Sequence, residues 1–210
     1  PQPPERARPV AATSLGGAKV LASPVDEADP EAAMLRGTRL HLLLEHLPGT
    51  APEGWDALAR AALAGAEGGL PDAAEFADLM SEARAVIQAP SLAEVMDVPE
   101  GTTVLREVRL TAPLPGLGIL HGTVDRLLVR DDQVLAIDYK SNAEVPATPD
   151  ATPEGILRQM AAYRAALQAI YPRRAIGTAI LWTASRSLMA LPEPLLDEVA
   201  DALDPTRLRP

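Results

Sequence analysis

The hydrophobic positions along the chain change period several times, and each change predicts an element. Residues 30–47, PEAAMLRGTRLHLLLEHL, place Met34, Leu35, Leu40, Leu42, Leu43 and Leu47 on a broad apolar surface behind Pro30, which predicts a helix. Residues 54–66 and 71–88 predict two more, the second opened by Pro71-Asp72 and striped by Leu79, Ala83, Val86 and Ile87. Trp55 and Phe76 fall among their core positions, and Pro48, Pro52 and Gly68-Gly69 mark the breaks. From residue 102 the period shortens. The stretch TTVLREVRLTA over 102–112 alternates as a strand, with Glu107 and Arg109 on one face and Val108 and Leu110 on the other. Gly122–Val129 and Gln133–Tyr139 are two further apolar runs on either side of Arg130-Asp131-Asp132, and they predict a β-hairpin. A helix over 153–171, a buried strand over 175–183 and a closing amphipathic helix over 192–203 complete the pattern.

Helices, three strands, a helix, a strand and a helix predict an α/β (α+β) fold, a mixed central sheet flanked by helices. Residues 1–30 are rich in Pro, Ala, Gly and Ser without lasting periodicity, and read as a linker or arm packed on something else. Residues 31–100 are then a helical lobe and residues 101–210 an α/β core.

Each hairpin run carries one aspartate that breaks its apolar pattern, Asp125 and Asp138. With Asp131-Asp132 as the turn, paired residue numbers sum to 263, so Asp125 faces Asp138 across the ladder. Directly opposed side chains are about 4.5–5.5 Å apart at Cβ, and like charges there need compensation. Lys140 shares the face of Asp138, because side chains alternate along a strand. The hairpin thus gathers two carboxylates and an ammonium, and a divalent cation is the natural compensator. A slip of one residue would reverse the faces.

Composition narrows the choices. The 210 residues are 47% hydrophobic and 23% charged, which is globular, and no run approaches the ~18 apolar residues of a membrane span. Nothing in the sequence resembles a signal peptide, and Pro1 in place of an initiator Met marks the chain as an expected piece of something longer. Zero cysteines exclude disulfides, thiolate zinc sites and an iron–sulfur cluster within it. Lys19 follows Gly16-Gly17-Ala18, but the Gly-Lys-Ser/Thr order of a phosphate loop is absent, so no ATP site is expected. The net charge of −10 is the wrong sign for a simple nucleic-acid binder, whereas an enzyme that sets carboxylates around metal ions is a different case. Of 19 basic residues only Lys19 and Lys140 are lysines, so Lys140 supplies a compact ammonium where arginine is the usual cation.

Two acids on adjacent strands with a lysine two residues beyond the second suit metal-dependent hydrolysis, and hard oxygen ligands favour Mg²⁺, with Mn²⁺ as the alternative. This chemistry alone leaves small phosphate esters open as substrates. On the helices, His41 and Glu45 lie at i, i+4, and a half-buried His41 paired with Glu45 is the ordinary reading. Gly37, one turn before His41, allows close backbone approach. Gln159 and Tyr163, also i, i+4, edge the apolar stripe of Ile156, Leu167 and Ile170.

Taken together, Gly37-x-x-x-His41, Gly122-Thr-Val-Asp125-Arg126, Asp138-Tyr139-Lys140-Ser141 and Gln159-x-x-x-Tyr163 resemble the RecB-type nucleases of the PD-(D/E)xK superfamily. The resemblance covers residues 30–190, and within the family it is greatest to the C-terminal nuclease domains of AddA-type helicase–nuclease subunits. It implies a restriction-endonuclease-like core and a Mg²⁺-dependent deoxyribonuclease, with exonuclease action expected. It also implies a role in bacterial, cytoplasmic double-strand-break repair and recombination. The implied partners are DNA, a helicase part of the same polypeptide and a second subunit resembling AddB, with no membrane. Asp125, Asp138, His41 and the backbone carbonyl of Tyr139 would ligate the metal, with Asp125, Asp138 and Lys140 catalytic. Gln159 and Tyr163 would contact DNA, and Glu107 matches the acidic position of the strand before the hairpin. Relatives with an iron–sulfur cluster carry four cysteines that are missing here. The alternative is a non-catalytic nuclease-like domain used in assembly or DNA guidance.

Overall fold

A computed structural model describes residues 9–15, 29–98, 100–114 and 118–203. The readings made above for residues 1–8, 16–28 and 204–210, including the Lys19 stretch, lie outside the described residues. The predicted helices form with ends set by their caps. Helix α1 (Pro30–His46) starts where the Asp29 side chain accepts from the Ala32 N–H at 3.0 Å, with Pro30 in the first turn. Helix α2 is Trp55–Ala64 and α3 is Ala73–Ile87, the latter capped by Asp72, which accepts from the Ala74 and Glu75 N–H groups. A short α4 (Ala93–Met96) follows. The remaining helices are α5 (Glu154–Ile170) and α6 (Glu193–Leu203).

The strands are β1 (Pro9–Ala11), β2 (Thr103–Leu114), β3 (Gly118–Val129), β4 (Gln133–Lys140), β5 (Ala175–Trp182) and β6 (Ser187–Ala190). Their order is β1-β3-β4-β5-β6, with β2 also paired to β3. The β1–β3 and β4–β5 pairs are parallel and the others antiparallel, so the sheet is mixed, as expected. The hairpin register is the one expected: Arg126 pairs with Ile137 and Val129 with Val134, both summing to 263, and Arg130 N–H donates to Gln133 O at 2.8 Å across the Asp131-Asp132 turn.

Strand alternation splits the apolar residues between two clusters. Val134 and Ala136 of β4 join Ile156, Met160 and Leu167 of α5, while Leu135, Ile137 and Tyr139 face Leu40, Leu43, Leu79 and Val86 of the first helices. Trp55 and Phe76 are buried in the second cluster, as expected.

Two strands were not anticipated. Pro9–Ala11, read as part of an arm, lies parallel to β3, and β6 adds an antiparallel edge. At three and four residues both are too short to display a period. Strand β2 also departs from simple alternation. Val104 packs into the second cluster but Val108 and Leu110 pack into the first, and Glu107 between them has φ of +48°. The strand changes face at this residue, which non-glycine residues reach only at a cost.

Candidate active site

The site lies at an interruption of the ladder. On one edge, β3 pairs with β1 as far as His121 and with β4 only from Arg126 onward. Residues 122–125 are left between, and side chains take the place of a strand. The Tyr163 hydroxyl donates to Thr123 O at 2.7 Å. The Asp125 Oδ2 accepts the Tyr139 N–H at 2.5 Å, where a ladder carbonyl would otherwise sit. Continuing the register puts Asp125 opposite Asp138, as the sequence predicts, but the carboxylate itself bridges the strands there. Gly122 makes room for this arrangement. A Cβ at that position would stand 2.5 Å from Tyr163 Cε1 and 3.0 Å from Ala12 Cβ.

Asp138 is 2% exposed. Its Oδ1 accepts from Gln159 Nε2 at 3.1 Å, and its Oδ2 lies 2.5 Å from Lys140 Nζ in an ion pair, with no other polar partner. Gln159 Nε2 also donates to Tyr163 Oη at 3.0 Å, so the i, i+4 pair on α5 is one connected unit with Asp138. Gln159 and Tyr163 are both buried. His41 departs from its ordinary reading. Its Nδ1 is 3.5 Å from Asp125 Oδ1 and its ring stands edge-on to Tyr139, whereas Glu45 pairs with His46. Helix α1 can come this close because a Cβ on Gly37 would meet Ser141 Oγ at 2.9 Å.

These contacts set the protonation preferences. Burial, reinforced by the Asp125 charge, raises the Asp138 carboxyl above its ordinary range even against Lys140. Burial alone would lower His41 and Lys140, but in each the aspartates outweigh it: Asp125 and then Asp138 raise His41, and Asp138 raises Lys140. Glu107 is pushed up to about 7, first by desolvation and then by the charges of Asp125 and Glu45. Tyr163 is raised by burial and by Asp138.

His41, Asp125, Asp138, Lys140, Gln159 and Tyr163 all line one open cavity of about 510 Å³. Glu107 is not on its wall but lies close enough to Asp125 to feel its charge. A larger cavity of about 850 Å³ between α1 and α3 is flanked by the Arg36–Glu82 and Arg39–Glu75 ion pairs and holds no comparable donor set. Chemistry, not size, selects the site.

Among the described residues no three His, Cys, Asp or Glu side chains stand at metal-holding spacing as they lie. The donor set still fits a hard divalent cation. Two carboxylates and an imidazole converge, and buried Asp138 Oδ2 has only an ammonium against it, the place a cation would take. Lys140 is the compensating charge in the structure as it stands.

Sequence reasoning missed three residues on the same cavity wall: Thr111, His121 and, beyond its face, Arg109. The alternation of β2, and of β3 for His121, was their only signal. It also missed that Arg126, beside Asp125, is 1% exposed; its guanidinium donates to Met96 O and lies near Tyr139 beneath the site.

Fold and site together define a class, a mixed-sheet α/β domain whose central strands end in an Asp-x-Lys cluster facing a second acid. Comparison with protein families matches residues 14–203 to the PD-(D/E)XK nuclease superfamily, and the chain belongs to that superfamily. No curated protein matches the sequence. Among solved structures, "Crystal structure of SSO0001" shares 10% identity over 96% of this chain and 77% of that one, with a TM-score of 0.36. No helix among the described residues is long and apolar enough to cross a membrane.

Proposed function

We propose that the chain is a Mg²⁺-dependent DNA nuclease domain, with Mn²⁺ as the alternative ion, that cuts phosphodiester bonds as an exonuclease. The observation that carries this reading is the convergence of His41, Asp125, Asp138 and Lys140, from one helix and two strands, on one cavity. Asp125, Asp138, His41 and the Tyr139 carbonyl would hold the ion, which when bound polarises a phosphate oxygen and acidifies water. Lys140, kept protonated by Asp138, supplies positive charge for the developing negative charge on phosphate. Gln159 and Tyr163 fix Asp138 and the free β3 edge, and their cavity side is where DNA would pass. Glu107 supports Asp125 from β2.

In this proposal the domain is the C-terminal part of an AddA-type helicase–nuclease subunit. It acts with a partner resembling AddB in bacterial, cytoplasmic double-strand-break repair and recombination. The motif resemblance supports that placement. The test is DNA cleavage with Mg²⁺ by the wild type, Asp138→Ala and Lys140→Ala. Loss of about 10²–10⁴-fold in both variants is expected, the scale of removing a positioned group from a reacting centre. Equal activity in all three sinks the assignment. A non-catalytic domain is the second reading, and the observation on its side is that among the described residues no three such ligands stand at metal spacing. Calorimetry that detects no Mg²⁺ or Mn²⁺ binding would select it.

A further inference from the structure

The cavity has a second wall that the hydrolytic groups do not use. On the β2–β3 ribbon, Leu110, Ala112, Leu120 and Val124 pack into the first cluster, while Arg109, Thr111 and His121 line the cavity. Arg109 pairs with Thr123 and Thr111 with His121, and Thr111 Oγ1 is 3.2 Å from His121 Nδ1. Two residues of strand advance about 6.6–6.8 Å, so Arg109–Thr123 stands one such step from Asp125 and Thr111–His121 stands two.

Arg109 is exposed, and no hydrogen bond, ion pair or ring contact engages its guanidinium among the described residues. By contrast Arg36, Arg39, Arg84 and Arg164 are each paired with carboxylates. Lys140 is held by Asp138. In a chain of net charge −10, the cation left to face an incoming anion at this cavity is therefore Arg109. Beside it are a hydroxyl and an imidazole with Nε2 unengaged among the described residues.

We propose that Arg109, with Thr111 and His121, is a phosphate-binding patch that grips the nucleic-acid backbone beside the phosphodiester being cut. The planar guanidinium offers paired N–H donors to phosphate oxygens, and the hydroxyl and ring nitrogen add neutral ones. Substrate lying along the β2–β3 ribbon, away from α1, explains how an acidic domain holds a polyanion: attraction is local rather than global. The proposal rests on the nuclease reading and identifies where its substrate is held.

The test is binding of a fluorescent single-stranded oligonucleotide by the whole chain, with Ca²⁺ replacing Mg²⁺, across a range of salt concentrations. Cleavage with Mg²⁺ is measured in parallel. In Arg109→Ala the slope of log K against log salt falls by about 0.7, the loss of one phosphate contact on a single strand. Arg109→Lys recovers much of the slope, and KM for cleavage rises more than kcat falls. Arg173→Ala removes the same charge from an exposed position in the turn after α5 and leaves the slope unchanged. An Arg109→Ala slope equal to wild type, or an equal fall in both alanine variants, overturns the patch even if the wild type cuts DNA. A wild type that binds with the Arg109-dependent slope but cuts nothing overturns the nuclease reading and leaves the patch standing.

Discussion

The two halves of β3 behave differently. From Arg126 to Val129 the strand is paired on both edges, to β2 and to β4, and Arg126, Leu127 and Leu128 are each 1% exposed. From Gly122 to Val124 it is paired to β2 alone, and the other edge of residues 122–125 meets Tyr163 and the Tyr139 N–H through side chains. Backbone polar groups demand partners wherever they are buried. The first half meets that demand by continuing the sheet and becomes core. The second meets it with a tyrosine hydroxyl and a carboxylate, which opens a cavity and places ionisable groups on its wall. The candidate site's cavity is made by interrupting a ladder, at the cost of replacing lost bonds with side-chain ones.

The comparison can be broken most forcefully in the paired half. Leu127→Ala should lower stability by about 2–5 kcal/mol, because the buried side chain cannot be replaced by solvent without a cavity. Chemical denaturation measures this, and activity per folded molecule should survive. In the open half, Gly122→Ala should cost about 1–3 kcal/mol by driving a methyl into the Tyr163 ring. It should also depress cleavage, since Tyr163 anchors the network to Asp138. A variant as stable and active as wild type would show that the close approach is not needed.

Tyr163→Phe is subtler. It removes the donor to Thr123 O and the acceptor for Gln159 while keeping the ring, and about 1 kcal/mol is expected. Thermal melting is the readout, and no change would mean that the free edge finds another partner. The smallest effect is a slope with pH in metal-free protein. Glu107 has a folded pKa of about 7, above its ordinary 4.5, so the stability it contributes is complete below 4.5 and is lost as pH rises through 7. His41 is raised as well and acts in the same direction. The melting temperature should therefore fall between pH 5 and 8, and Glu107→Gln should flatten part of that fall. A melting temperature that rises over this range contradicts the assignment.

Much of this molecule is local and therefore legible. Helix boundaries follow from Pro30, Asp72 and the apolar stripes, because capping and the 3.6-residue period are properties of neighbours in sequence. The hairpin register follows from a two-residue turn and strict alternation, which is why Asp125, Asp138 and Lys140 can be brought together on paper. The Gln159–Tyr163 pair is one helical turn and needs no tertiary information. Tertiary structure decided what crosses between elements. His41 has Glu45 on its own helix face but points to Asp125, because Gly37 lets α1 settle against Ser141. Pro9–Ala11 becomes a strand only because β3 offers it an edge. The change of face at Glu107, the burial of Arg126 and the gap at residues 122–125 likewise arise from how the ribbon fits between two helical layers. The sequence by itself determined which acids, which lysine and which strands. Only packing decided that the ladder would open beside them, because an interruption depends on where strands far apart in the chain begin and end.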